Sequence, residues 1–429
     1  MGIAREVAER LRDHNRVGAA VATAPQQTGF PRTIYWQPAT LAQGDAGIAL
    51  TCAYLDACFP NEGWDRVGHS YLSVAVEGAE RLPHLSAGMF GGLAGLAFAG
   101  WSLSREATRY GRLLTTLDNT LLPQAIAQAD NLARQTTTGI SFGEFDVISG
   151  VAGTGAYLLR RRERPGAVAS VETALHSLIA LASDTGGRPR WWTPAHLLGD
   201  EEMAARHPHG NLNCGLAHGI PGPLAFMALA LSCGIAVSGL EGAVDRVAAW
   251  LIERRADDAW GADWPFAVPL MPNGAPDLAG AARQPSRAAW CYGAPGVARA
   301  LWLAGVARDR PEWRDLAIAA MEAVYRRPIA ARHIDSPTFC HGVAGLLQVT
   351  SRFANDTRLP VFAEAAANLT EWLLNAYEPD SLLGYRNWEP GGTRVDHAGL
   401  LDGAPGVLLA LLAAATDVKP SWDRAFLLA

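Results

Sequence analysis

Two kinds of apolar segment alternate along the chain. In the first kind, apolar residues recur at helical spacing with charged residues on the opposite side. "LEGAVDRVAAWLIERRADD" sets Val244, Val247, Ala248 and Leu251 on one face. "EWRDLAIAAMEAVYRRP" does the same with Trp313, Ala317, Ala320 and Val324, and "PVFAEAAANLTEWLLNAY" with Phe362, Ala366, Leu369 and Leu373. Similar stretches occupy 4–15, 64–82, 121–135 and 168–183. This spacing predicts amphipathic helices with one solvated side. Segments of the second kind carry few charges and many small residues, and each is opened by a G-x-x-G. They start at "AQGDAGIALTCAYL", "FGGLAGLAFAGWSL", "ISGVAGTGAYLL", "AHGIPGPLAFMALAL", "CYGAPGVARALWLAG", "CHGVAGLLQVTSRF" and "LDGAPGVLLALLAAA". An apolar helix without a polar stripe is buried on most sides.

The first glycines of the seven motifs are Gly44, Gly92, Gly150, Gly219, Gly293, Gly342 and Gly403, at intervals of 48 to 74 residues. One such motif is weak evidence, but seven in register with an apolar run make a repeat architecture. The pattern predicts an all-α fold of fourteen helices, seven inner and buried, seven outer and amphipathic, in one domain over 1–429. No run of alternating β-branched residues bounded by hairpin turns competes, so no strand is predicted. Glycine at each helix entry permits close backbone approach. It is also expected to leave unpaired N–H groups facing whatever binds there. If successive helices are antiparallel, all seven entries share one face. Long connections rich in Trp, Pro and Gly, at 185–211, 260–286 and 379–399, are expected over that face as functional loops.

Composition narrows the class. With 49% hydrophobic and 18% charged residues, the 429-residue chain has the material for a large core, and disorder is excluded. A formal net charge of −6 argues against a nucleic-acid surface. The apolar runs "PLAFMALALSCGIAV" and "GVLLALLAAA" are too short to span a bilayer, so no membrane insertion is expected. The charged, helical N-terminus and six sparse cysteines fit a cytoplasmic protein in which a special cysteine holds a metal or is catalytic.

Four chemically pointed residues stand just before a glycine motif: Cys291 in "AWCYGAPG", Cys340 and His341 in "FCHGVAG", and His218 in "GLAHGIPG". The fifth and sixth motifs are consecutive, so their entries are expected to be neighbours. Two thiols and an imidazole are a zinc ligand set that leaves a fourth position open. No C-x-x-C or H-E-x-x-H spacing supports this reading, so buried thiols remain the alternative. Cys52, Cys58, Cys233 and Cys214 read as structural. His207 and His209, in "RHPHG", read as a polar loop.

"GLAHGIPG", "AWCYGAPG" and "FCHGVAG", in this order and with the seven glycine motifs around them, resemble the lanthipeptide cyclases of the LanC-like family over nearly the whole chain. The resemblance implies an α/α toroid and one Zn²⁺ held by Cys291, Cys340 and His341. It implies Michael-type addition of peptide cysteine thiols to dehydroalanine and dehydrobutyrine, giving (methyl)lanthionine rings. His218, Asp146 in "FDVISGVAG", and Arg287 and Tyr292 in "SRAAWCYG" match family positions around the zinc. Without the resemblance, Asp146 reads as a helix N-cap and Arg287 as a solvated loop residue. Implied partners are a dehydrated precursor peptide with its leader, a separate dehydratase, and an exporter that would bring the enzyme peripherally to the membrane. A glutathione-adding enzyme, an aminovinyl-cysteine-forming cyclase, an α/α-barrel glycosidase and a non-catalytic helical scaffold remain as alternatives.

Overall fold

The computed structural model describes residues 1–135, 139–185, 188–281 and 286–429. In chain order its helices are α1 (Gly2–Arg12), α2 (His14–Gln27), α3 (Asp45–Cys58), α4 (Trp64–Glu80), α5 (Leu93–Leu103) and α6 (Gly111–Gln135). Then come α7 (Val151–Arg160), α8 (Ala167–Leu181), α9 (Glu201–Arg206), α10 (Pro221–Ser232), α11 (Leu240–Glu253) and α12 (Leu278–Ala281). The last are α13 (Ala294–Ala307), α14 (Pro311–Arg326), α15 (Val343–Thr357), α16 (Pro360–Asn375) and α17 (Ala404–Ala415). The chain divides into two compact units. Unit 1 comprises 1–86, 90–118 and 334–422, and unit 2 comprises 87–89, 119–333 and 423–429.

Both predicted helix classes are present. All seven glycine motifs open buried helices: α3, α5, α7, α10, α13, α15 and α17. In six of them the first glycine is the N-cap residue. α10 begins one residue later, with Ile220 as the cap and Pro221 at the first helical position, where its missing N–H costs nothing. Helices α4, α8, α11, α14 and α16 match the expected amphipathic stretches within a few residues. Two differ. The expected 4–15 helix stops at Arg12, because the Asp13 carboxylate accepts from the N–H groups of Asn15 and Arg16 and caps a new helix, α2. Helix α6 starts at Gly111, ten residues before the expected 121.

In unit 1 the buried helices pack in the order α15, α17, α3, α5, with α16, α1 and α4 behind them. In unit 2 the buried row is α7, α10, α13, backed by α8, α11 and α14. Backbone hydrogen bonds join neighbouring entries edge to edge. In unit 2, Val147 N donates to Ala217 O at 3.1 Å and Ala217 N to Cys291 O at 3.3 Å. In unit 1, Cys340 N donates to Leu401 O at 2.9 Å, Leu400 N to Ala42 O at 2.8 Å and Ala42 N to Phe90 O at 3.0 Å. Within each unit, therefore, the glycine entries lie side by side, as the repeat pattern predicts.

The glycines are needed for close approach. A Cβ on Gly153 would lie 2.0 Å from Val147 O, and one on Gly406 2.2 Å from Leu400 O, each a carbonyl six residues earlier. The chain before each helix doubles back over the helix end. Its carbonyls accept from the first-turn amides, as in Val343 N to Ser336 O (2.9 Å) and Ile220 N to Asn213 O (3.2 Å). This corrects the expectation of unpaired entry amides. The loop itself satisfies those donors, so the chemistry falls to side chains.

The all-helix expectation also needs one correction. Among the described residues three two-stranded antiparallel pairs occur: β1 (Asp184–Thr185) with β2 (Arg188–Pro189), β3 (Asn211–Asn213) with β4 (Ala267–Pro269), and β5 (Asn387–Trp388) with β6 (Arg394–Val395). Each strand is two or three residues long, too short to show alternation. β2, β4, β5 and β6 lie in the long connections expected to be functional loops, and β1 and β3 straddle the two ends of the first; of these connections 186–187 and 282–285 fall outside the described residues. Among the described residues no helix is long and apolar enough to cross a membrane.

Candidate active site and metal ligands

In unit 2 the site is built on the entries of α7, α10 and α13. Asp146, 1% exposed, lies in the loop before α7. Its Oδ1 accepts from Ser149 N at 2.7 Å and Gly150 N at 2.9 Å. Its Oδ2 accepts from His218 Nδ1 at 2.7 Å. Asp146 is not the helix N-cap, which is Gly150; one of its oxygens organises the loop before the helix and the other holds the histidine. That bond fixes the ring and keeps its Nδ1 protonated, which leaves Nε2 for chemistry. The His218 side chain is 32% exposed, so substrate can reach it.

Aromatic rings wall the histidine. Phe142 meets it edge-on with centroids 5.1 Å apart, and Tyr292 lies tilted at 6.4 Å. Tyr292 stacks on Phe266 at 4.1 Å, and Asn213 Nδ2 donates to its hydroxyl at 3.2 Å. Asn213 ends β3 and Phe266 directly precedes its pairing partner β4, so the unpredicted strands position a predicted site residue. Cys291 is nearly buried, at 4% exposure. Arg287 is exposed and has no hydrogen bond or ion pair among the described residues; Asp146 is held by two amides and His218. A further acid, Asp263, accepts from Ala294 N at 3.1 Å at the head of α13. Burial, opposed by the Arg327 guanidinium, pushes its carboxyl up to about 6.

In unit 1, Cys340 and His341 stand at the entry of α15 and Asp402 at the entry of α17. Their donor atoms all lie within 4.8 Å of one another. His341 Nδ1 and Asp402 Oδ1 are 3.5 Å apart. Oδ1 is buried without a hydrogen-bond partner among the described residues. Three donors converging on one point, one of them a buried carboxylate oxygen, suit a cation. Thiolate, imidazole and carboxylate are all zinc ligands, so this half of the expected ligand set fits the metal. Cys291, the third expected ligand, belongs to unit 2 and stands before the entry of α13.

Of the remaining cysteines, Cys52 and Cys214 lie in the core, whereas Cys58 and Cys233 are half-buried. Cys52 and Cys214 are fully buried, and burial pushes each thiol up to about 12. His207 is buried at 3% exposure while His209 is exposed, so they form no pair. Burial lowers the pKa of His207.

Sequence reading missed Phe142 and Asn213 as site residues, and did not place Asp402 with Cys340 and His341. For Asp402 the signal was present. His218, Tyr292, His341 and Asp402 each directly precede the first glycine of motifs four to seven, and all four are half-buried. Nothing local marked Phe142 or Asn213.

A lanthionine synthetase C-like family model matches residues 35–427. The nisin biosynthesis protein NisC of Lactococcus lactis subsp. lactis is 24% identical over 358 residues, covering 81% of this chain and 82% of that protein. A solved structure of nisin cyclase superposes with a TM-score of 0.77 at 22% identity, covering 96% of this chain and 97% of that one. The superposition bears out the expected all-α toroid fold class. With the family model matched over nearly its whole length, the chain belongs to the lanthionine synthetase C-like family, as an enzyme of the lanthionine-cyclase class.

Proposed function

We propose that this enzyme closes thioether rings in a dehydrated, ribosomally made peptide by adding cysteine thiols to dehydroalanine or dehydrobutyrine, with Zn²⁺ bound by Cys291, Cys340 and His341. The observation that carries the reading is the His218–Asp146 pair, held at 2.7 Å at a half-open helix entry. When bound, zinc supplies a substrate sulfur kept as thiolate at neutral pH. In the addition a C–S bond forms at the β-carbon and the C=C π bond breaks. The thiol proton is lost on activation and one proton is delivered to the α-carbon, so mass does not change.

His218 delivers that proton from Nε2, and Asp146 holds the ring in the orientation and tautomer this requires. Arg287 meets the negative charge that develops on the dehydro residue's carbonyl. Tyr292, clamped by Asn213 and Phe266, lines the approach beside His218. The precursor with its leader, a separate dehydratase and an exporter are the partners of this reading.

The test combines metal analysis of the purified enzyme with cyclisation of a dehydrated peptide, scored by thiol alkylation and mass spectrometry. One zinc per chain and loss of alkylatable thiol are expected. His218→Ala is expected to keep its zinc and lose cyclisation. A His218→Ala enzyme that cyclises at the wild-type rate refutes the assignment, and consumption of glutathione in place of the peptide thiol refutes the ring-forming reading.

A further inference from the structure

The three-ligand reading leaves the position of Asp402 unexplained. Its carboxylate sits with Cys340 and His341 within 4.8 Å, at the register of helix entry that carries His341 one repeat earlier. Its Oδ1 is 3.5 Å from His341 Nδ1, beyond ordinary hydrogen-bond length, and has no other partner among the described residues. A buried carboxylate oxygen left in this way is costly unless something else binds it. Two donors on one tetrahedral zinc, with bonds of about 2.0–2.2 Å, stand about 3.4 Å apart. The observed separation matches two ligands of a shared ion better than a carboxylate orienting an imidazole through a hydrogen bond.

We infer that Asp402 Oδ1 is a fourth protein ligand to the metal in the substrate-free enzyme, alongside Cys340 and His341. The inference rests on the zinc reading above. Asp402 is the one hard oxygen donor in a set with two thiolates. It is therefore the ligand a soft substrate sulfur most readily replaces.

The experiment measures zinc stoichiometry and affinity, by competition with a chromophoric chelator, in the wild-type enzyme and in Asp402→Asn and Asp402→Ala. Circular dichroism checks that each variant is folded. Both variants are expected to lose at least about tenfold in zinc affinity. Asp402→Cys, loaded with Co²⁺, adds the readout that separates a ligand from an orienting group. If residue 402 faces the metal, thiolate-to-cobalt charge-transfer absorption rises by about half, as three thiolates replace two. Unchanged zinc affinity in Asp402→Asn and Asp402→Ala, or unchanged absorption in Asp402→Cys, overturns the inference and leaves the cyclase reading standing. A wild-type enzyme that binds no zinc overturns both.

Discussion

The two oxygens of Asp146 do separate jobs, and two substitutions should pull them apart. Oδ1 accepts from Ser149 N and Gly150 N, while Oδ2 accepts from His218 Nδ1. In Asp146→Ala both amides lose their acceptor. Ser149 is exposed, so water can replace the carboxylate there, but Gly150 is buried and its amide is stranded. One stranded amide costs about 1–3 kcal/mol, so about that much stability should go. Asp146→Asn keeps an oxygen at Oδ1 and should cost about 1 kcal/mol. Its amide NH₂, however, faces Nδ1 of His218 and forces that nitrogen to be the acceptor. The ring then carries its proton on the wrong nitrogen or turns away. Cyclisation should therefore fall by about 10² or more in both variants, the range general acid catalysis supplies. Urea denaturation gives the stabilities, and thiol alkylation of a dehydrated peptide gives the rates. An Asp146→Asn enzyme that keeps half the wild-type rate, or an Asp146→Ala enzyme as stable as Asp146→Asn, would sink the division of labour.

Three further outcomes follow from the packing and burial. Gly153→Ala places a Cβ 2.0 Å from Val147 O and should destabilise by about 1–3 kcal/mol, whereas Gly18→Ala in α2, with nothing within 4 Å, should stabilise by about 0.5–1 kcal/mol. Denaturant midpoints that shift in the same direction for both would refute the close-approach account. Asp263, with its carboxyl raised to about 6 from 3.8 by burial, binds its proton more tightly in the folded chain than in the unfolded one. Stability should fall as pH rises from about 4 to about 6, by at most about 3 kcal/mol, and the difference between wild type and Asp263→Asn across that window measures it. Cys52 and Cys214, fully buried with thiols pushed up to about 12, should resist iodoacetamide at pH 8 in the native enzyme and react once it is unfolded in urea.

Much of this structure is legible in the sequence because its repeat is written twice, once in periodicity and once in glycine. Helices such as α10 and α17 are apolar all round and announce burial, while α11 and α16 show a charged side. What escaped is short or depends on contacts between distant segments. Strand β3, "NLN", is stabilised by "AVP" of β4, more than fifty residues away, and neither has a pattern of its own. Asn213 and Phe266 gained their place beside Tyr292 through that pairing. The break between α1 and α2 turns on the Asp13 carboxylate and two amides, inside what reads as one helical stretch.

The entries also show why one local match carried less information than the others. Residues two before each first glycine, such as Ala42, Ala217, Cys291 and Cys340, use their backbone to bind a neighbouring entry. Residues one before it, His218, Tyr292, His341 and Asp402, keep partly open side chains. In motifs four to seven the position directly before the glycine thus carries a partly open side chain, a register that Cys340, half-buried one residue earlier, shares in motif six. Arg287 lies six before Gly293, where the fold uses the backbone: a Cβ on Gly293 would fall 1.6 Å from Arg287 O, and the Arg287 side chain is exposed. Asp402 carries the register without having carried a motif. The same rule that places His218 on Asp146 therefore brings Asp402 to Cys340 and His341.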